Sequence, residues 1–202
     1  MITMRFLAPA ALLCVLRAGA VSAESARADL ASTADGTSSL GSAVLTESPD
    51  GLQVSVHVTG APAGKHGVHI HQYGRCGDRG NDAGGHFNPD NTAHGFAPSD
   101  GTAKAHPGDM GNIEVGADGD GRVSVFLPGA TLAGGKYGVA GRAIVLHEKE
   151  DDFGQPTGNA GGRIACGPIL ITKVLGDKSQ SDAPAPAKSA PAKEAPKPAK
   201  RP

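Results

Sequence analysis

The stretch Gly67-Val68-His69-Ile70-His71 restricts the fold more than any other part of the chain. In an extended strand successive side chains point to opposite faces, so His69 and His71 project together while Val68 and Ile70 face the other way. The apolar pair asks for a core, and the two imidazoles make half of a rigid metal site. The same alternation runs through residues 52–58, with Leu52, Val54, Val56 and Val58 inward and Gln53, Ser55 and His57 outward. In residues 143–147, Ile144 and Leu146 share one face and Ala143, Val145 and His147 the other. Residues 42–47, 112–115, 122–127 and 164–174 read as further strands, with a first edge strand near 28–32. Ser48-Pro49-Asp50-Gly51 is a turn, because Pro presets φ and Gly accepts positive φ. Thirty glycines, fifteen prolines and no tryptophan agree with a turn-rich β protein rather than a helical one.

At 202 residues the chain is long enough for one domain with extensions. Residues 1–23 read as a secretory signal: Arg5, an apolar run over 6–16 too short to span a bilayer, then small Val21-Ser22-Ala23 before Glu24. An uncleaved anchor is the alternative. Otherwise no transmembrane span is expected. Cys14 falls inside this segment, which leaves Cys76 and Cys166 in a chain bound for an oxidising compartment. Such a pair is most simply a disulfide. Closing a loop of about ninety residues would contribute roughly 4–5 kcal/mol on the chain-entropy account. Residues 24–176 then form the folded domain, and 177–202, rich in Ala, Pro, Lys and Ser, read as a disordered tail. A net charge of −1 gives no reason to expect nucleic acid or an anionic membrane as partner. An anionic substrate would need local positive potential.

Two long segments, 73–107 and 148–162, lack periodicity and are rich in Gly, Asn, Asp and Pro. Loops of that length in a compact domain are functional or disordered. The first carries Cys76, Gly84-Gly85-His86-Phe87-Asn88-Pro89, His94 and His106-Pro107-Gly108-Asp109; the second runs from His147 to Gly161-Gly162-Arg163-Ile164-Ala165-Cys166. Six histidines and one aspartate therefore divide between strands (His69, His71, His147) and the first loop (His86, His94, His106, Asp109).

This ordered series resembles the copper/zinc superoxide dismutases over about residues 28–175. The resemblance implies an all-β fold, an eight-stranded Greek-key β-barrel related to the immunoglobulin-like sandwich, with two long functional loops. It implies a copper site of His69, His71, His86 and His147, and a zinc site of His86, His94, His106 and Asp109. An all-nitrogen set suits copper, and a tetrahedral set of three nitrogens and one oxygen suits zinc. His86 would bridge the two ions and carry a proton during turnover. Asp151 would hydrogen-bond His69 and His94 together, fixing their orientation. Arg163 would stand beside the open copper position and hold a small anion. The implied reaction converts superoxide to dioxygen and hydrogen peroxide, in a periplasmic or secreted protein that is a monomer or a homodimer. The rival readings are a copper/zinc delivery module without turnover and an adhesion sandwich with structural metals.

One departure stands out: the loop between His147 and Arg163 is short, with no lysine after Lys149. Arg75, Arg79 and Lys104 are therefore expected to supply the positive funnel that draws in an anion. His57, on an outward strand face, and His66, placed in a turn, are expected to be structural or exposed.

Overall fold

The computed structural model describes residues 24–173; the expected signal segment and the tail lie outside the described residues. The strands are β1 (Ser25–Ser32), β2 (Ser39–Ser48), β3 (Gly51–Val58), β4 (Gly64–His71), β5 (Asp109–Val115), β6 (Gly121–Pro128), β7 (Ala143–His147), β8 (Arg163–Pro168) and β9 (Leu170–Lys173). They pair antiparallel in the order β2-β3-β6-β5-β4-β7-β8-β1, and β1 returns to β2, so the sheet closes on itself. β8 and β9 both lie against β1 and are pieces of one strand. The break is at Ile169, whose N–H donates to the Arg142 carbonyl at 2.8 Å instead. The result is the expected eight-stranded barrel. The β3–β4 and β6–β7 connections each cross over two intervening strands, which is the Greek-key path. The seam between β5 and β6 is the thinnest in the ring, paired at Val115 and Gly121 alone.

Two expectations change. The strand near 28–32 begins at Ser25 and is no edge: β2 pairs with one side, β8 and β9 with the other. Its inward residues Ala26, Ala28 and Leu30 are mostly small, which is why its alternation is faint in the sequence. β5 starts at Asp109 rather than 112, so Asp109 sits on the barrel, in register with His69, and not in the loop.

The barrel interior is filled by Leu30, Leu45, Leu52, Ile70, Ile113 and Leu146, all fully buried, each contributing about 1.5–3 kcal/mol relative to exposure. Alternation in β4 and β7 sends Val68, Ile70, Ile144 and Leu146 into this core. The intervening His69, His71, Val145 and His147 point out of the barrel, yet all are buried. The two long loops cover them. Ala83, Ala143, Val145 and Cys166 form a second apolar cluster beneath the first loop, with Cys76 packed against it. The Cys76–Cys166 disulfide (S–S 2.01 Å, Cα–Cα 5.7 Å) ties that loop to β8. The first loop also contains two short helical turns, Asp78–Ala83 and Ala97–Asp100. No helix among the described residues is long and apolar enough to cross a membrane.

Candidate metal centre

The first loop returns to β4 just where His86 must be placed. Gln72 N–H donates to the Gly85 carbonyl at 3.0 Å and Phe87 N–H to the Ile70 carbonyl at 2.8 Å, so His86 lies as a bridge partner of His71. Two groups of ligand-type atoms result, each within 4.8 Å: His69, His71, His86 and His147, and His86, His94, His106 and Asp109. All seven side chains are buried, and His86 belongs to both groups.

Hydrogen bonding decides which nitrogen of each ring is left for a cation. His71 Nδ1 donates to the Gly84 carbonyl at 2.9 Å, which leaves Nε2 bare; it faces His147 Nε2 at 3.2 Å. His69 Nε2 donates to Asp151 Oδ2 at 2.8 Å, and its buried Nδ1 has no hydrogen-bond partner. His94 Nε2 donates to Asp151 Oδ1 at 2.9 Å; its Nδ1 is likewise without a hydrogen bond although 2.7 Å from Asp109 Oδ2. His86 Nδ1 lies 3.0 Å from Asp109 Oδ1 and 3.4 Å from His106 Nδ1. Ligands about 2.0–2.1 Å from a tetrahedral ion stand about 3.3 Å apart. Facing lone pairs at such separations, with two orphaned buried nitrogens, fit metal ions in both groups.

The charge balance differs between the two groups. Burial above all holds His71 down at about 2, His147 at about 3 and His86 at about 4, with neighbouring imidazoles adding to the effect. Those rings are neutral and offer lone pairs at pH 7. Burial would lower His94 as well, but the Asp109 and Asp151 carboxylates outweigh it and hold His94 up at about 9. Burial would raise Asp109; hydrogen bonds from His106, His86 and His94 overcome it and keep the carboxyl well below the usual range.

Asp151 is positioned from behind. Its N–H donates to Asn112 Oδ1 at 2.7 Å, and Asn112 Nδ2 donates to its carbonyl at 2.9 Å. Gly158, at φ +79°, passes so close that a Cβ there would stand 1.9 Å from Asp151 Oδ1 and 2.7 Å from His94 Nε2. Only glycine fits. Arg163 opens β8 as the cross-strand neighbour of His147. Its Nη1 donates to the Gly80 carbonyl and its Nη2 to the Gly84 carbonyl, so the first loop fixes the guanidinium. The positive charge is near enough to help lower His71 and His147. Arg75, Arg79 and Lys104 are exposed, and Arg75 lies over the Tyr73 ring at 5.2 Å.

His57 is partly exposed and pairs with Asp120 at 2.6 Å. His66 is not in a turn: it lies within β4, buried, with Nδ1 2.9 Å from the His147 carbonyl and Nε2 2.8 Å from the Pro62 carbonyl. Neither Asn112 nor this role of His66 stood out in the sequence. Carrying the alternation back from Val68 would have put His66 on the core side.

Fold and site together define a closed β-barrel with two adjoining ligand sets, joined through one histidine, on its outer wall. The family model for copper/zinc superoxide dismutase (SODC) matches residues 39–169. The chain belongs to that family. An extracellular superoxide dismutase [Cu-Zn] of Caenorhabditis elegans is 44% identical over 140 residues, covering 66% of this chain and 62% of the relative. The chain thus spans less than two thirds of that relative's length. A superoxide dismutase [Cu-Zn] of Onchocerca volvulus is 41% identical over 134 residues, covering 60% of this chain and 82% of the relative. Among solved structures, a SOD-like protein from Bacillus subtilis is similar at TM-score 0.62 and 34% identity, covering 71% of this chain and 97% of its own. The clock protein EA4 is similar at TM-score 0.64 and 36% identity, covering 77% and 99%.

Proposed function

We propose that this protein dismutates superoxide: one anion is oxidised to dioxygen, and a second, with two protons, is reduced to hydrogen peroxide. The observation that carries the reading is His86, one buried ring held in common by a four-nitrogen set and a set of three nitrogens and a carboxylate. His69, His71, His86 and His147 hold copper, and His86, His94, His106 and Asp109 hold zinc. Copper supplies a reversible one-electron change, and zinc a fixed positive charge that orders the first loop.

The chain's own groups do the rest. His69, His71 and His147 come from two paired strands, so the barrel would hold three of the four copper ligands in fixed positions. His86 Nδ1 faces Asp109 and His106, which leaves Nε2 as the atom that takes a proton and returns it to the peroxide being formed. Asp151 keeps the His69 and His94 rings turned to their ions. Arg163, half-buried and tied at both terminal nitrogens, binds and orients the incoming anion. Arg75, Arg79 and Lys104 add positive potential at the surface. The protein works in the periplasm or outside the cell, after removal of residues 1–23, where its disulfide persists.

The test is superoxide consumption by the copper- and zinc-loaded protein beside His147→Ala. Rapid turnover lost in the variant is the expected result. No turnover from protein with full copper and zinc and an intact disulfide would instead favour a metal-delivery role.

A further inference from the structure

Residues 148–162 grip the first loop at one backbone position. Gln155 Oε1 accepts the His94 N–H at 3.0 Å, and Gln155 Nε2 donates to the His94 carbonyl at 2.8 Å. A side chain here makes the two-bond pattern of an antiparallel strand pair. The Phe153 ring lies over the His94 imidazole, with centroids 6.4 Å and planes 21° apart, and stands edge-on to Phe96. Asp151 completes the grip at His94 Nε2. Three residues of the second loop thus converge on His94. Among the described residues, no second-loop side chain hydrogen-bonds to His86 or His106.

His94 needs this support more than His86 or Asp109 does. Residues 91–96 belong to no strand or helix, whereas His86 is a bridge partner of β4 and Asp109 opens β5. With its N–H and carbonyl both held, His94 has only its two side-chain torsions left to bring Nδ1 to Asp109 and Nε2 to Asp151.

We propose that Gln155 is a positioning residue for the zinc set, acting on His94 through that residue's own N–H and carbonyl. The inference rests on the zinc assignment above. Losing partners that orient a ligand typically weakens metal binding about 10–100-fold, and a clamp on the backbone belongs at the lower end, about tenfold.

The test compares the full disulfide-bonded chain with Gln155→Ala and Gln155→Glu. Zinc affinity is read by competition with a chromophoric chelator, with copper affinity in parallel. Gln155→Ala is expected to bind zinc about tenfold more weakly and keep copper affinity within about twofold. Gln155→Glu keeps the acceptor and loses the donor, so it should fall between. Unchanged zinc affinity in Gln155→Ala would overturn the proposal alone. Equal losses of zinc and copper with a lowered Tm would overturn it too, by showing a general structural role. A parent protein that takes up no zinc would overturn the site assignment, and this proposal with it.

Discussion

His69, His71 and His94 are each fixed by the bond that the nitrogen turned away from the ligand set makes, and His66 extends that rule one layer outward. It joins the His147 carbonyl to the Pro62 carbonyl, and so anchors the end of β7 to the turn before β4. His66→Ala would take the ring from between the His147 and Pro62 carbonyls, deprive the one its N–H serves of a donor, and open a cavity. A loss of about 2–4 kcal/mol is expected in denaturant unfolding of the metal-free protein. A change below about 0.5 kcal/mol would contradict the anchoring role, being no more than a surface substitution produces. The eight side chains His69, His71, His86, His94, His106, Asp109, His147 and Asp151 were nameable from the sequence because short ordered motifs carry them. His66 was misplaced because Gly60, Pro62 and Gly64 just before it signal a turn. Asn112 and Gln155 carry no motif, since a carboxamide that clamps a backbone is defined by distant chain meeting it.

At the scale of elements, the site is a seam where two loops meet the outer faces of β4 and β7, and protons act on that seam. In the metal-free protein His71, His147 and His86 are held at about 2, 3 and 4, against an ordinary value of 6.5. The unfolded chain therefore binds more protons than the folded one once pH falls below about 6.5, and stability is lost toward the lower folded values. Asp109 and Asp151, held below the ordinary 3.8, contribute stability that disappears as pH falls further. His94 runs the other way: held up at about 9, its contribution is full below 6.5 and fades as pH rises through 9. The Tm of the metal-free protein should be highest from about pH 6.5 to 8 and fall steeply below about 6, with exchange in the loops accelerating before exchange in the barrel. A Tm flat from pH 7 to pH 4 in calorimetry would contradict this. The strands were legible to the extent that large side chains alternate. β3 and β7 show this plainly, β1 hides it behind Ala26 and Ala28, and the start of β5 is obscured because Asp109 follows Pro107 and Gly108.

The whole molecule separates two tasks that one surface could not combine. A closed barrel supplies rigidity, and its interior holds no ligand-type side chain of either set. Chemistry is placed on the outside wall, where the disulfide and the two loops bury it without disturbing the core. Side chains of ligand type far apart in sequence, from His69 to His147, thereby come together within a few ångströms. The most direct test of the account is anomalous diffraction at the copper and zinc edges from crystals of the loaded protein. Copper is expected among His69, His71, His86 and His147, and zinc among His86, His94, His106 and Asp109, with His86 touching both. Copper and zinc mixed across the two sets, or a His86 that contacts neither ion, would contradict it.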